Sequence, residues 1–132
     1  MDYFDYSREF TEDFDIESFL EESQQQQKQR LNQELERIQQ QLEKREVIHE
    51  ETLNELESKL DWYTERLEDL RKRSFGKEDE KERLKQQINE FYQEIRQEKQ
   101  RRWRDIQELE RDRRRILQDL EEVEVEDIFG LL

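Results

Sequence analysis

The sequence contains no cysteine, no proline and only two glycines. Without cysteine there is no disulfide framework, no thiol nucleophile and no Cys-based zinc site. Without proline, nothing of that kind interrupts a helix. Apolar residues are scarce as well, at 30% against 47% charged, whereas an ordinary globular domain is near half apolar and about a quarter charged. That shortage excludes a thick, multilayered core and leaves disorder or long, thin helices. No apolar run approaches the roughly 18 residues a membrane span requires. The opening MDYFDYSREF is acidic, the reverse of a signal peptide. The expectation is a soluble, cytoplasmic chain with no membrane insertion.

What charge there is has a distribution. The net charge of −14 arises wholly at the two ends. Residues 1–22 hold nine acids and one base, and residues 119–132 hold six acids and no base. The body between them is neutral, with 23 acids and 23 bases. General nucleic-acid binding is disfavoured, because phosphate contacts need unbalanced positive charge.

From Gln24 to Arg73 the sequence has neither Gly nor Pro and is dominated by Leu, Glu, Gln, Lys and Arg, all good helix formers. Ser18-Phe19-Leu20-Glu21 has the capping-box form and predicts a helix start. Apolar residues recur in heptad steps: Leu31, Leu35, Ile38 and Leu42, then Leu53, Leu56, Leu60, Tyr63, Leu67 and Leu70. Downstream come Leu84, Ile88, Phe91 and Ile95, then Ile106, Leu109, Ile116, Leu120 and Val123. This is the a/d seam of a coiled coil. Leu42 to Leu53 and Ile95 to Ile106 each span 11 residues, a stutter that locally unwinds a supercoil. Glu98–Arg102, Glu68–Lys72 and similar i,i+4 pairs are expected to support the solvated faces.

Folding the chain about Ser74–Lys77 aligns Leu67 with Leu84, Tyr63 with Ile88 and Leu42 with Leu109, and sets the stutters opposite each other. Gly76 supplies the backbone freedom for the turn. Arg71–Arg73 suit a helix C-terminus and Glu78–Glu80 an N-terminus. The rival, a straight parallel dimer, would set Ser74, Lys77 and Lys81 in the seam, and consecutive lysines there are costly. The predicted fold class is therefore all-α: a long antiparallel helical hairpin, a two-helix coiled coil, with acidic flexible tails. Its expected divisions are an acidic aromatic tail (1–18), helix one (19–74), a turn (75–77), helix two (78–123) and an acidic, hydrophobic C-terminal peptide (124–132). Two helices bury one stripe each, which stabilises such a scaffold only marginally. Self-association into a four-helix assembly is the expected remedy, through Val47, Ile48, Trp62, Tyr92, Trp103 and Leu117, which lie off the seam.

Residues that could carry chemistry are few. Glu46 and His49 have the E-x-x-H spacing of carboxylate-bridged di-metal bundles, but the register sets Arg102 and Asp105 opposite, a cation where a bridging Glu is wanted. A di-metal bundle enzyme is thus the weakest alternative, and no metal or cofactor is expected. Arg111–Arg115 and the arginines around Trp103 could stack on bases, a nucleic-acid-associated alternative. Glu108, Glu110 and Asp112 interrupt the basic run, and ion pairing with Glu34, Glu36 and Glu43 of the other helix is the expectation. No phosphate-binding Gly-rich loop, nucleophile elbow or Cys/His cluster is present, so no enzyme is expected.

The ends are richer. Tyr3, Phe4, Tyr6, Phe10, Phe14 and Phe19 sit among nine acids, the makings of a segment steered by charge and anchored by aromatics. The C-terminal VEVEDIFGLL, with Ile128, Phe129, Leu131 and Leu132, reads as an extended peptide for a partner's sheet edge. The expected function is a non-enzymatic coiled-coil adaptor or assembly factor. It would form homo-oligomers through its helices and dock protein partners with a basic or apolar groove through its tails.

Overall fold

The computed structural model describes residues 15–73 and 76–130, the last four by backbone alone. It is all-helical. Helix α1, Ile16–Lys72, and helix α2, Glu78–Gly130, pack against each other as a hairpin, and the described residues contain no strand. None of the described helices is long and apolar enough to cross a membrane.

The helix ends differ from expectation in ways local chemistry explains. Helix α1 starts at Ile16 rather than residue 19, because the cap is Asp15 and not Ser18. The Asp15 carboxylate Oδ1 accepts hydrogen bonds from the backbone N–H groups of Glu17 (3.1 Å) and Ser18 (3.3 Å). Those are two of the donors a helix start leaves unpaired, and an ionised acceptor there also suits the helix dipole. Helix α2 continues to Gly130, so the stretch from Glu124 to Gly130 is helical, not an extended peptide. Val123 explains the continuation, since it is 3% exposed and belongs to the apolar stripe of α2. Beyond it no proline occurs and no glycine until 130, so each added residue gains a helical hydrogen bond.

The turn rests on backbone sign. Gly76 has φ +89° and Lys77 has φ +61°. The Lys77 carbonyl then accepts the N–H of Lys81 at 3.0 Å, which opens α2. Nothing lies within 4 Å of where a Cβ on Gly76 would stand. Glycine is therefore required for its left-handed φ and not for space.

The chain divides into two compact units. In the unit formed by Met1–Ile38 and Asp112–Leu132, the described buried residues are Leu31, Ile38, Ile116 and Val123. In the unit Gln39–Arg111 they are Leu56, Leu67, Leu70, Leu84 and Phe91, together with one charged residue, Glu98. Leu67, Leu70 and Leu84 form a cluster against which Tyr63 and Ile88 pack, and the Tyr63 and Phe91 rings stand 5.2 Å apart. The register aligns Leu67 with Leu84 and Tyr63 with Ile88, and all four meet in this cluster, whereas the contact of the Tyr63 and Phe91 rings is not among the aligned pairs. No described side chain is wholly buried, which is the mark of a core one layer thick.

Candidate functional site

Two features of the unit Gln39–Arg111 stand apart from ordinary seam packing. The first fills both 11-residue gaps with charge. Between Leu42 and Leu53, and between Ile95 and Ile106, polar side chains take the inward positions. The Arg45 guanidinium bridges two carboxylates of α2, with Nη1 2.8 Å from Glu98 Oε1 and Nε 2.8 Å from Asp105 Oδ2. His49 Nδ1 donates to the same Glu98 Oε1 at 3.2 Å. Beside them Arg102 donates to Glu46 Oε1, through Nε at 2.9 Å and through Nη2. Glu98 is only 7% exposed, yet no buried side-chain polar atom among the described residues lacks a partner.

The electrostatics follow from this geometry. Burial pushes the Glu98 carboxyl up, but the hydrogen bonds and charges of Arg45 and His49 outweigh burial and hold it below the usual carboxylate range. The Arg102 hydrogen bond lowers Glu46. The hydrogen bond to Glu98 raises Arg45 further, against the desolvation that would lower it. Glu98, Glu46 and Arg45 are therefore ionised at neutral pH. Replacing such a pair with packed apolar residues is often neutral or stabilising, whereas removing one partner is costly. Its effect is accordingly on which partner fits, since only an acid opposite Arg45 satisfies it.

This network corrects several expectations. Glu98 and Arg102 do not pair with each other along α2, because each is taken by α1. Glu46 and His49, the metal-like pair, are engaged by Arg102 and Glu98 respectively. The described residues place no group of three or more His, Asp or Glu to hold a metal ion. The expected ion pairs from the basic runs to Glu34, Glu36 and Glu43 are not formed. Arg102 instead pairs across the helices with Glu46, and Arg101 bonds Gln97 on its own helix.

The second feature is apolar surface. Trp103 is 63% exposed, Trp62 60% and Tyr92 50%, and Val47 and Ile48 are exposed as well. Trp62 stands edge-on to Tyr63, with ring centroids 4.9 Å apart. Trp103 lines a shallow hollow of about 420 Å³ with Lys99, Gln100 and Arg104. In the other unit Ile16, Phe19, Leu20, Leu117 and Val125 are exposed. Tyr3, Phe4, Tyr6, Phe10, Phe14, Leu131 and Leu132, and the side chains of Ile128 and Phe129, lie outside the described residues.

Sequence reasoning missed Arg45 and Glu98 as inward-facing residues. The signal was present in the stutters themselves, because continuing the three- and four-residue steps from Leu42 and from Ile95 lands on Arg45 and His49 and on Glu98 and Arg102, all polar.

A two-helix hairpin with a charged layer in its seam and exposed aromatics on its outer faces places the protein in the all-helical class. The chain belongs to a family of unknown function, DUF8104, whose model matches residues 1–132. No curated protein and no solved structure matches it.

Proposed function

We propose that this protein is a non-enzymatic, self-associating coiled-coil adaptor or assembly factor, in which the helices mediate association and the acidic, aromatic ends dock protein partners. The observation that carries this reading is the exposure of Val47, Ile48, Trp62, Tyr92, Trp103 and Leu117 on a hairpin with no wholly buried side chain among its described residues. Large aromatics gain most when desolvated in an interface, and a one-layer core has the most to gain from a second layer. The described surface offers a shallow hollow beside Trp103 and another among Ser23, Gln26, Gln27 and Arg30. An open hollow of that kind does not exclude water around a reacting group.

Sedimentation equilibrium over a range of concentrations tests the reading. The full chain is expected to associate. The variant Ile48→Glu/Trp62→Glu is expected to shift toward monomer with its helical circular dichroism intact, since a truncated interface anchor typically costs about 1–4 kcal/mol. A full chain that is monomeric at every concentration sinks the proposal.

A further inference from the structure

Along α2, the positions Lys85, Asn89, Tyr92, Arg96, Lys99 and Trp103 recur at steps of four and three, the spacing that keeps side chains on one helix face. That face contains no acid over five turns, in a chain of net charge −14. All six residues are exposed. Among the described residues Arg96, Lys99 and Arg104 make no ion pair or hydrogen bond, whereas Arg45, Arg66 and Arg102 are each taken by a carboxylate. Unpaired cations therefore flank two exposed aromatics, and the stems of Lys99 and Arg104 wall the hollow beside Trp103.

The complement of this face is in the same sequence. Residues 1–22 carry nine acids and six aromatics. Within the described part of that segment, Asp15, Glu17, Glu21 and Glu22 stand beside the exposed Ile16, Phe19 and Leu20. One surface presents aromatics with cations and the other presents aromatics with acids, so apolar burial and charge pairing reinforce each other. Within one chain, Ile16–Leu20 belong to the unit of Met1–Ile38 and the acid-free face belongs to the unit of Gln39–Arg111.

We propose that the Tyr92–Arg96–Lys99–Trp103 face of α2 seats the acidic, aromatic N-terminal segment of a second copy of this chain. The proposal rests on the self-associating reading above and names the two surfaces that meet. Such a contact is heterologous, one patch on a different patch. It either closes into a ring or continues from copy to copy.

The test replaces Phe19 with the photo-cross-linker p-benzoylphenylalanine in the full chain and mixes isotope-labelled with unlabelled copies before irradiation. The expected products join a labelled to an unlabelled copy and map to residues 92–104. Products confined to one copy, products elsewhere on the chain, or no product would each overturn the proposal. A second arm measures self-association of Arg96→Glu/Lys99→Glu/Arg104→Glu, exposed changes that leave the seam intact. Reversing three charges at such a contact is expected to weaken association at least about tenfold and to flatten its salt dependence. Wild-type association that is unmoved by the reversal would overturn this inference while leaving the self-associating reading standing. A monomeric wild type would remove both. If a single-stranded oligonucleotide quenches Trp103 and the cross-links fall outside residues 92–104, the face serves nucleic acid and the proposal is wrong.

Discussion

At the scale of single residues, the turn shows how a sequence feature can be right in place and incomplete in detail. Gly76 was legible, being one of two glycines in the chain and lying between a basic and an acidic run. The left-handed φ of Lys77 was not, because lysine carries no signature of positive φ. A non-glycine residue there costs about 1–2 kcal/mol, and glycine gives back roughly 0.4–1 kcal/mol of that through the greater freedom of the unfolded chain. Lys77→Gly is therefore expected to stabilise the hairpin by about 0.5 kcal/mol. Gly76→Ala should destabilise it by about 1 kcal/mol, although the space for a methyl group is open. Urea midpoints of the two variants check the pair, and a neutral Gly76→Ala would mean that the turn does not need its glycine. The cap shows the same limit, since Ser18-x-x-Glu21 has the written form of a start signal while Asp15 makes the hydrogen bonds. Both residues are good caps, and only the geometry separates them.

At the scale of elements, the apolar seam was legible because leucine and isoleucine at heptad steps have one plausible destination. The charged layer was hidden because Arg and Glu populate the solvated faces of this chain, so Glu98 and Arg102 read as a surface pair. The layer has a pH signature. Glu98 and Glu46 are held below the usual carboxylate range, so their contribution is complete above the unfolded value of about 4.3 and is lost as pH falls through the lowered folded values. Glu98→Gln keeps the shape and removes the charge that Arg45 and His49 share. It is expected to cost about 1–3 kcal/mol at neutral pH, as for a lost hydrogen bond to a charged group. The gap to wild type should narrow in acid, where Glu98 is itself protonated. Chemical denaturation at neutral pH and below the carboxylate range measures both gaps. Equal gaps at the two pH values would show that the ionised form contributes nothing special. The C-terminal end of α2 was misread for a related reason, because alternating Val and Glu over four residues suits a strand and a helix equally. The helical backbone over residues 124–130 decides for the helix.

At the scale of the whole chain, the hairpin was legible because reversal matches the two seams through both stutters while a straight dimer would stack lysines in its seam, and the cluster of Leu67, Leu70 and Leu84 realises that alignment. The proposed contact face was less legible, because such surfaces on long helices announce themselves by exposure and by unpaired charge. Neither property can be read from residue type alone, and the acid-free face of α2 emerges only once Arg45 and Arg102 are seen to be taken and Arg96 and Lys99 are not. The position of the apolar cluster also bears on time. Leu67 and Leu84 are separated by only seventeen positions, and closing a short loop costs the least chain entropy. The hairpin should therefore begin to fold at its turn, with pairs more distant in sequence joining afterwards. Truncating Leu70, buried in that cluster, is expected chiefly to slow refolding, and truncating Ile116 chiefly to speed unfolding. Stopped-flow kinetics on the two variants distinguish this order from its reverse. In the expected order, acid and base must find each other at Glu98 and Arg45 before the zipper can pass, so the charged layer acts as a checkpoint on register during folding itself.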